Sequence, residues 1–206
     1  MIQIHNNQIL TSHCLNCPDD YFAPAESDVP HVGCCSYSPV FSLFEVYQAV
    51  KDNHIDFFIN EILQHKSAVI NDFEIKVQAM VDSRFSEKNL TGLSQIEMDD
   101  LQLSYSMCQY FKQNMGCSLP LTLKNSTCRS FICSSVENML PKDQQNNLKT
   151  WVNQIKREAA TFNKTQQAIL QERQLMLMQD FDSIIDYFTQ YIQDNKITKP
   201  EGNEES

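Results

Sequence analysis

Eight cysteines fall in two groups of four, Cys14, Cys17, Cys34 and Cys35, then Cys108, Cys117, Cys128 and Cys133, with a long cysteine-free stretch between them. Sulfurs grouped in this way suit a disulfide framework, a metal or iron–sulfur site, or a thiol redox centre. Four thiolates complete a zinc site or hold a cubane cluster, so eight could serve two sites or one site with spares. The Cys14-to-Cys17 spacing, C-x2-C, is compatible with all three chemistries, and its surroundings narrow the choice. A thioredoxin-like motif follows a strand and opens a helix, whereas His13 to Pro18 is polar and turn-rich, with Asp19 and Asp20 just after it. Acidic neighbours raise a thiol pKa and disfavour a free reactive thiolate. A bound cation reverses that argument, because coordination removes the thiol proton.

Turns surround these sulfurs. Two of the four glycines, Gly33 and Gly116, directly precede Cys34 and Cys117, and five of the seven prolines lie in or beside the two groups. Loops that bend to bring ligands together need such residues. Cys34 and Cys35 are adjacent, so on an extended backbone they point to opposite sides and either serve different partners or straddle one cluster. Between Cys108 and Cys133 every charge is positive, Lys112, Lys124 and Arg129, while the first group is acidic. The two groups should therefore attract, and Lys112 and Arg129 could offset the charge of a tetrathiolate centre.

The elements that must position these loops read as helices. With four Gly and seven Pro in 206 residues, long stretches lack both, and the fold class expected is mainly α. Residues 40–105 are read as inserted helices, with Phe58, Ile62, Val69, Phe73, Val77 and Met80 or Val81 at helical spacing. Ser94 with Glu97 reads as a capping box opening a helix toward Tyr105, and Ser134 with Glu137 as a second. From Lys142 to Asn195 there is neither Gly nor Pro. Val152, Ile155, Ala159, Phe162, Ile169, Leu170, Leu177, Phe181, Ile184, Phe188 and Tyr191 there follow three-and-four spacing. That predicts a long helical hairpin or coiled-coil-like arm with a break near Asn163, offering a face for a protein partner or for self-association. The organisation expected is a cysteine-cluster domain over 1–140, a long helical segment over 141–196 and a disordered acidic tail over 197–206.

Charge and hydropathy exclude several functions. The net charge is -10 and no Lys or Arg precedes Lys51, so phosphate backbones are repelled and a nucleic-acid partner is not expected. No run of about 18 apolar residues occurs, so no membrane partner is expected. The N-terminal MIQIHNNQILTSHC has no basic, apolar and small-residue secretory pattern, which makes the cytoplasm the expected location. Thiols there are kept reduced, and metal explains eight of them better than bridges do. No catalytic triad, carboxylate pair or phosphate-cradling loop stands out, so an enzymatic role depends on the metal.

The combination of CLNC, GCC, an apolar stretch containing Phe44-Glu45, a C-x8-C from Cys108 to Cys117 and the terminal CRSFIC resembles the YkgJ-type cysteine-cluster proteins, described as zinc- or iron-chelating domains. Flagellin lysine N-methylases share a similar arrangement. The resemblance covers roughly residues 13 to 52 and 105 to 135. It implies that Cys14, Cys17, Cys34, Cys35, Cys108, Cys117, Cys128 and Cys133, or most of them, ligate zinc or an iron–sulfur cluster. This chain departs from the family in the insert PDDYFAPAESDVPHV, which opens a compact CxxCxxCC, and in LPLTLKN, which replaces the usual Tyr-x-x-Arg-Pro. With surplus sulfur, His13 and His31 are expected to stay outside the ligand set. Tyr21, Phe22, Tyr37 and Phe41 are expected to pack around the site, and the LMLM run at 175–178 to serve packing. The rival reading is an exported or scaffold-type interaction protein with structural disulfides and a helical partner-binding face.

Overall fold

The computed structural model describes residues 2–5, 8–11, 19 and 22–197. Cys14, Cys17, His13 and Tyr21, together with most of the predicted tail, lie outside the described residues. The chain is helix-rich, as its composition predicts, but mixed rather than purely α, with four small antiparallel sheets among the described residues.

The Gly- and Pro-free C-terminal stretch forms α6 (Lys142–Glu172) and α7 (Phe181–Ile197). Pro141 precedes the first turn of α6, where a missing N–H costs nothing. Leu148, Ile155, Ala159, Gln166 and Leu170 form its buried stripe, at seven-and-four spacing. The helix runs through Asn163 without the predicted break. Asn disfavours helix interiors because its side chain competes for local backbone groups, but here Oδ1 accepts from Phe44 N (2.7 Å) and Nδ2 donates to Ser42 Oγ (2.8 Å). The interruption comes ten residues later. Gln174 takes a left-handed conformation (φ 57°) and Leu175 N donates to Leu170 O (2.9 Å), a Schellman-type stop.

Helix α7 returns antiparallel to α6. Tyr187 Oη donates to Gln166 Oε1 (2.5 Å), and Phe162 meets Phe188 (5.9 Å) and Tyr191 (6.3 Å between ring centroids). Helix α1 (Leu43–Lys51) sits against both, its Tyr47 touching Phe162, Phe188 and Tyr191. The hairpin is therefore no free arm. Leu170, Leu177, Ile184 and Phe188 join Phe41, Val46, Phe58, Ile62 and Ile75 in one core, so the apolar stripe that suggested a partner face is taken up by the chain itself. Leu177 of the LMLM run is among these packing residues.

The segment following α1 departs from the all-helical expectation. α2 (Ile55–Phe58) continues as a π-turn over Ile59–Leu63, keeping Phe58 and Ile62 helical and buried. Beyond it, β3 (Val40–Ser42), β4 (Ala68–Ile70) and β5 (Glu74–Val77) form an antiparallel sheet in the order β3-β5-β4. Val69 and Val77, read as helical, are strand residues, Phe73 lies in the turn before β5, and Met80 and Val81 form β6 (Met80–Val81). Ile75 and Val77 point into the core while Glu74 and Lys76 do not, a period of two that a three-and-four count can mimic over so short a run. β-Branched residues on either side of Asn71-Asp72 favour the hairpin, and Asn71 N donates to Glu74 O (2.8 Å) across its turn.

The remaining elements carry the cysteines or brace them. β1 (Ile2–His5) and β2 (Gln8–Thr11) form a hairpin whose Ile9 packs with Leu148 and Ile155 of α6 in a second, smaller core. α3 (Gln95–Ser104) opens with the capping box expected, Ser94 N donating to Glu97 (2.8 Å). β7 (Ser106–Met107) then pairs with β6. Residues 22–30 are held to this region by charge: Glu26 accepts from Lys88 (2.5 Å), Arg84 (3.2 Å) and Tyr105 Oη (2.9 Å), and Arg84 also engages Asp28 and Asp82. No helix among the described residues is long and apolar enough to cross a membrane.

This charge cluster sets an acid limit. Hydrogen bonds from Lys88 and Tyr105 lower the Glu26 pKa, one from Arg84 lowers that of Asp28, and Arg84 brings Asp82 down to about 2. Because the folded values are depressed, the cluster's contribution is complete above the ordinary carboxylate range and is lost as pH falls through the folded values. We expect segment 22–30 to become protease-sensitive between about pH 4 and 2, before the main core melts. Cleavage that is unchanged down to pH 2, or that begins at neutral pH, would contradict this.

Candidate thiol centre

Four separate pieces of chain bring thiols toward one another. Cys34 and Cys35 lie in a 3-10 turn, Gly33–Ser36, entered through Gly33 at φ 61°, a left-handed conformation that suits a residue without Cβ. Cys35 O accepts from Cys108 N (2.6 Å), which ties this turn to the residue immediately after β7. A tight hairpin of β8 (Phe111–Lys112) and β9 (Gly116–Cys117) turns through Asn114 and Gly116, both at positive φ, and sets Cys117 opposite Phe111. Cys128 rides on α4 (Ser126–Ser130), whose start is capped by Asn125 Oδ1 accepting from Cys128 N (2.7 Å). Cys133 is the N-cap of α5 (Ser134–Glu137), so that helix begins one residue away from the capping box expected at Ser134 and Glu137.

Cys35, Cys108, Cys117 and Cys128 all lie within electrostatic range of one another, each pair disfavouring simultaneous ionisation. Burial lifts Cys108 to about 11 and also raises Cys117. A hydrogen bond with the Cys34 side chain, then burial, raises Cys35. Cys128 keeps an exposed surface, yet the protein packed around it makes burial the largest cause lifting its pKa to about 12. Such thiols are neutral at pH 7 and poor nucleophiles, unlike those of a redox centre.

The thiols of Cys34, Cys35, Cys108, Cys117 and Cys128 are unbridged. Among the described residues no three Cys, His, Asp or Glu side chains stand at the distances of a shared metal ion. The four thiols are thus gathered but not closed on a point. His31, set aside as a ligand on sequence grounds, bonds the Asp19 carbonyl through Nε2 (3.2 Å).

The cations are distributed differently from the sequence-based expectation. Lys124, rather than Lys112 or Arg129, lies within electrostatic range of Cys35, Cys117 and Cys128 and favours their ionised forms. Lys112 sits exposed on β8. Arg129 faces away, stacked over Phe44 (5.1 Å), with Glu45, Glu158 and Asp52 as its charged neighbours. The acids Glu26 and Asp28 pair with Arg84 and Lys88, and a backbone hydrogen bond from Cys108 N to Cys35 O joins the described parts of the two cysteine groups. A positive residue four positions before Cys128 was visible in the sequence, but its direction was not.

Of the aromatic residues expected around the site, Phe22 makes edge contacts with Tyr37 (6.4 Å) and with Phe131 (6.0 Å), which lies between Cys128 and Cys133. Phe41 instead belongs to the main core, where it meets Phe58 and Tyr110. Tyr110 comes closer to the thiols: it is an electrostatic neighbour of Cys108 and Cys117 and donates through Oη to Glu61 O (2.8 Å). No protein-family model, curated protein or solved structure matches this chain.

The position of α4 depends on a buried carboxylate. Glu45, 2% exposed, accepts from Ser42 N (2.9 Å) and Ser42 Oγ (2.7 Å) through Oε2, and from Ser126 N (2.8 Å) through Oε1. Removing it strands these buried donors, so Glu45→Ala should cost about 3 kcal/mol. Thermal melting and amide exchange check this. We expect a lower Tm with faster exchange at Ser126 and Cys128, whereas an unchanged Tm would show that α4 is held otherwise.

Proposed function

We propose that this chain is a metal-binding protein in which Cys35, Cys108, Cys117 and Cys128 form the heart of a zinc or iron–sulfur site, with Cys14, Cys17, Cys34 and Cys133 as the remaining candidate ligands. The observation that supports it is the mutual electrostatic reach of four thiols from four separate chain segments. Scattered core cysteines have no reason to converge. Turns and short elements, not long helices, carry these sulfurs, so a cation could draw them the remaining distance, displacing a proton from each. Four thiolates around Zn2+ leave a net charge of -2, which Lys124 is placed to offset. A closed four-sulfur zinc shell would serve structure or metal handling, and an iron–sulfur cluster would add electron transfer. The resemblance of CLNC, GCC and CRSFIC to cysteine-cluster proteins points the same way.

Metal and acid-labile sulfide analysis with a visible spectrum, on protein purified without oxygen, tests this reading. We expect bound zinc, or iron with sulfide. Cys35→Ser and Cys128→Ser should each lower the metal content, and chelation should lower the Tm of the parent protein. Absence of metal together with no free thiols under denaturing, non-reducing conditions would replace it with the disulfide reading.

A further inference from the structure

An open concavity lies away from the thiol centre. A groove of about 870 Å3 runs between α1, α6 and α7, a size typical of small-molecule sites. Four rings line it, Phe44, Tyr47, Phe162 and Tyr191, with Tyr47 and Phe162 only 4.6 Å apart. Lys51 and Arg157 supply cations at the groove, against the single acid Glu158, in a chain whose net charge is -10.

Two buried groups make this more than a ring-lined surface. Gln166 lines the groove and is 2% exposed. Its amide oxygen accepts from Tyr187 Oη (2.5 Å), so the amide nitrogen is the end left to serve a ligand. Arg129, 6% exposed, stacks on the groove ring Phe44 at 5.1 Å. Among the described residues no carboxylate lies within ion-pair distance of its guanidinium, and its buried Nε has no hydrogen-bond partner. Glu45 and Glu158 act on it only at longer range. Arg129 stands behind Phe44 and outside the groove lining, so its unpaired charge adds to the positive field there without contacting a bound ligand.

We infer that this groove binds a planar ring carrying an anionic group, of the size and class of a nucleoside monophosphate. The half-buried rings of Tyr47, Phe162 and Tyr191 offer stacking faces for a base, the Gln166 amide offers one polar contact, and Lys51 and Arg157, with Arg129 behind Phe44, supply the positive field for a phosphate. Ring stacking tolerates any base, so recognition should depend weakly on which base is present. The groove shares no residue with the thiol centre, so this inference stands apart from the metal reading.

Saturation-transfer NMR and calorimetry on the full chain test it, with AMP, GMP, CMP and UMP as probes and adenosine and inorganic phosphate as the separated halves. We expect the nucleotides to bind with Kd below about 1 mM, and each half at least about tenfold more weakly than AMP. Arg157→Gln should weaken AMP by about tenfold while leaving the melting curve near that of the parent, and Gln166→Leu should weaken AMP by a similar factor while also lowering the Tm, because it strands the Tyr187 hydroxyl. Because Arg129→Gln could disturb folding, Arg157→Gln, on the groove surface, is the deciding variant. The inference is overturned by no nucleotide binding to the folded protein, by phosphate binding as tightly as AMP, or by undiminished AMP affinity in both groove variants.

Discussion

Much of this structure depends on the buried carboxylate of Glu45 and the polar groups that surround it. Ser42 ends β3 and caps α1, Glu45 accepts its N–H and hydroxyl, Ser126 at the start of α4 donates to the same carboxylate, and Asn163 of α6 bonds both Ser42 Oγ and Phe44 N. One carboxylate and one amide thereby join a strand end, two helix starts and the middle of a long helix. Glu45 is buried and the groups around it are half-buried, so losing a partner is costly, and they are satisfied with α4 lying against α1 and α6. Apolar packing would tolerate several sliding positions; this network tolerates few.

The thiols are gathered by a different kind of constraint. Their pieces of chain meet through backbone contacts, such as Cys108 N to Cys35 O, and through turns that need Gly33, Asn114 and Gly116 at positive φ. Those constraints fix the directions of the loops more firmly than the last few ångströms of side-chain position. The result is four thiols close enough to sense one another's charge but not close enough to share an ion. Turns and short elements set on a helical base suit that state, because the base holds the approach while the turns that carry Cys35 and Cys108 can adjust.

The sequence disclosed those features whose causes are local. The Ser94-Glu97 capping box, the long helices after Pro141 and the turns around the cysteines all follow from residues near one another in the chain. It misled where the deciding partner was distant. Val69 and Val77 fit a helical count, yet they became strand residues because Val40–Ser42 supplied an edge for β5 to pair with. Asn163 looked like a break, yet a helix start 119 residues earlier in the chain satisfied it. Lys124 and Arg129 looked alike as charges near Cys128, and only the orientation of α4 separates them. Cys14 and Cys17, whose C-x2-C spacing opens the first cysteine group, lie outside the described residues.

That separation on α4 is itself informative. Cys128 and Arg129 are consecutive, and successive residues on a helix point about 100° apart, so a single turn can present unlike chemistry on two sides. Toward the thiols, α4 offers a sulfur whose proton is held by burial and by its neighbours. Toward α1 and α6 it offers a guanidinium over Phe44, balanced at longer range by Glu45. Exchanging the two would place a permanent cation among groups that can become anionic and leave Glu45 without its nearest compensating charge. Glu45 therefore does two things at once: through Ser126 it fixes where α4 begins, and through its charge it favours the side on which Arg129 lies. The thiol Cys128 is turned toward its partners as a consequence.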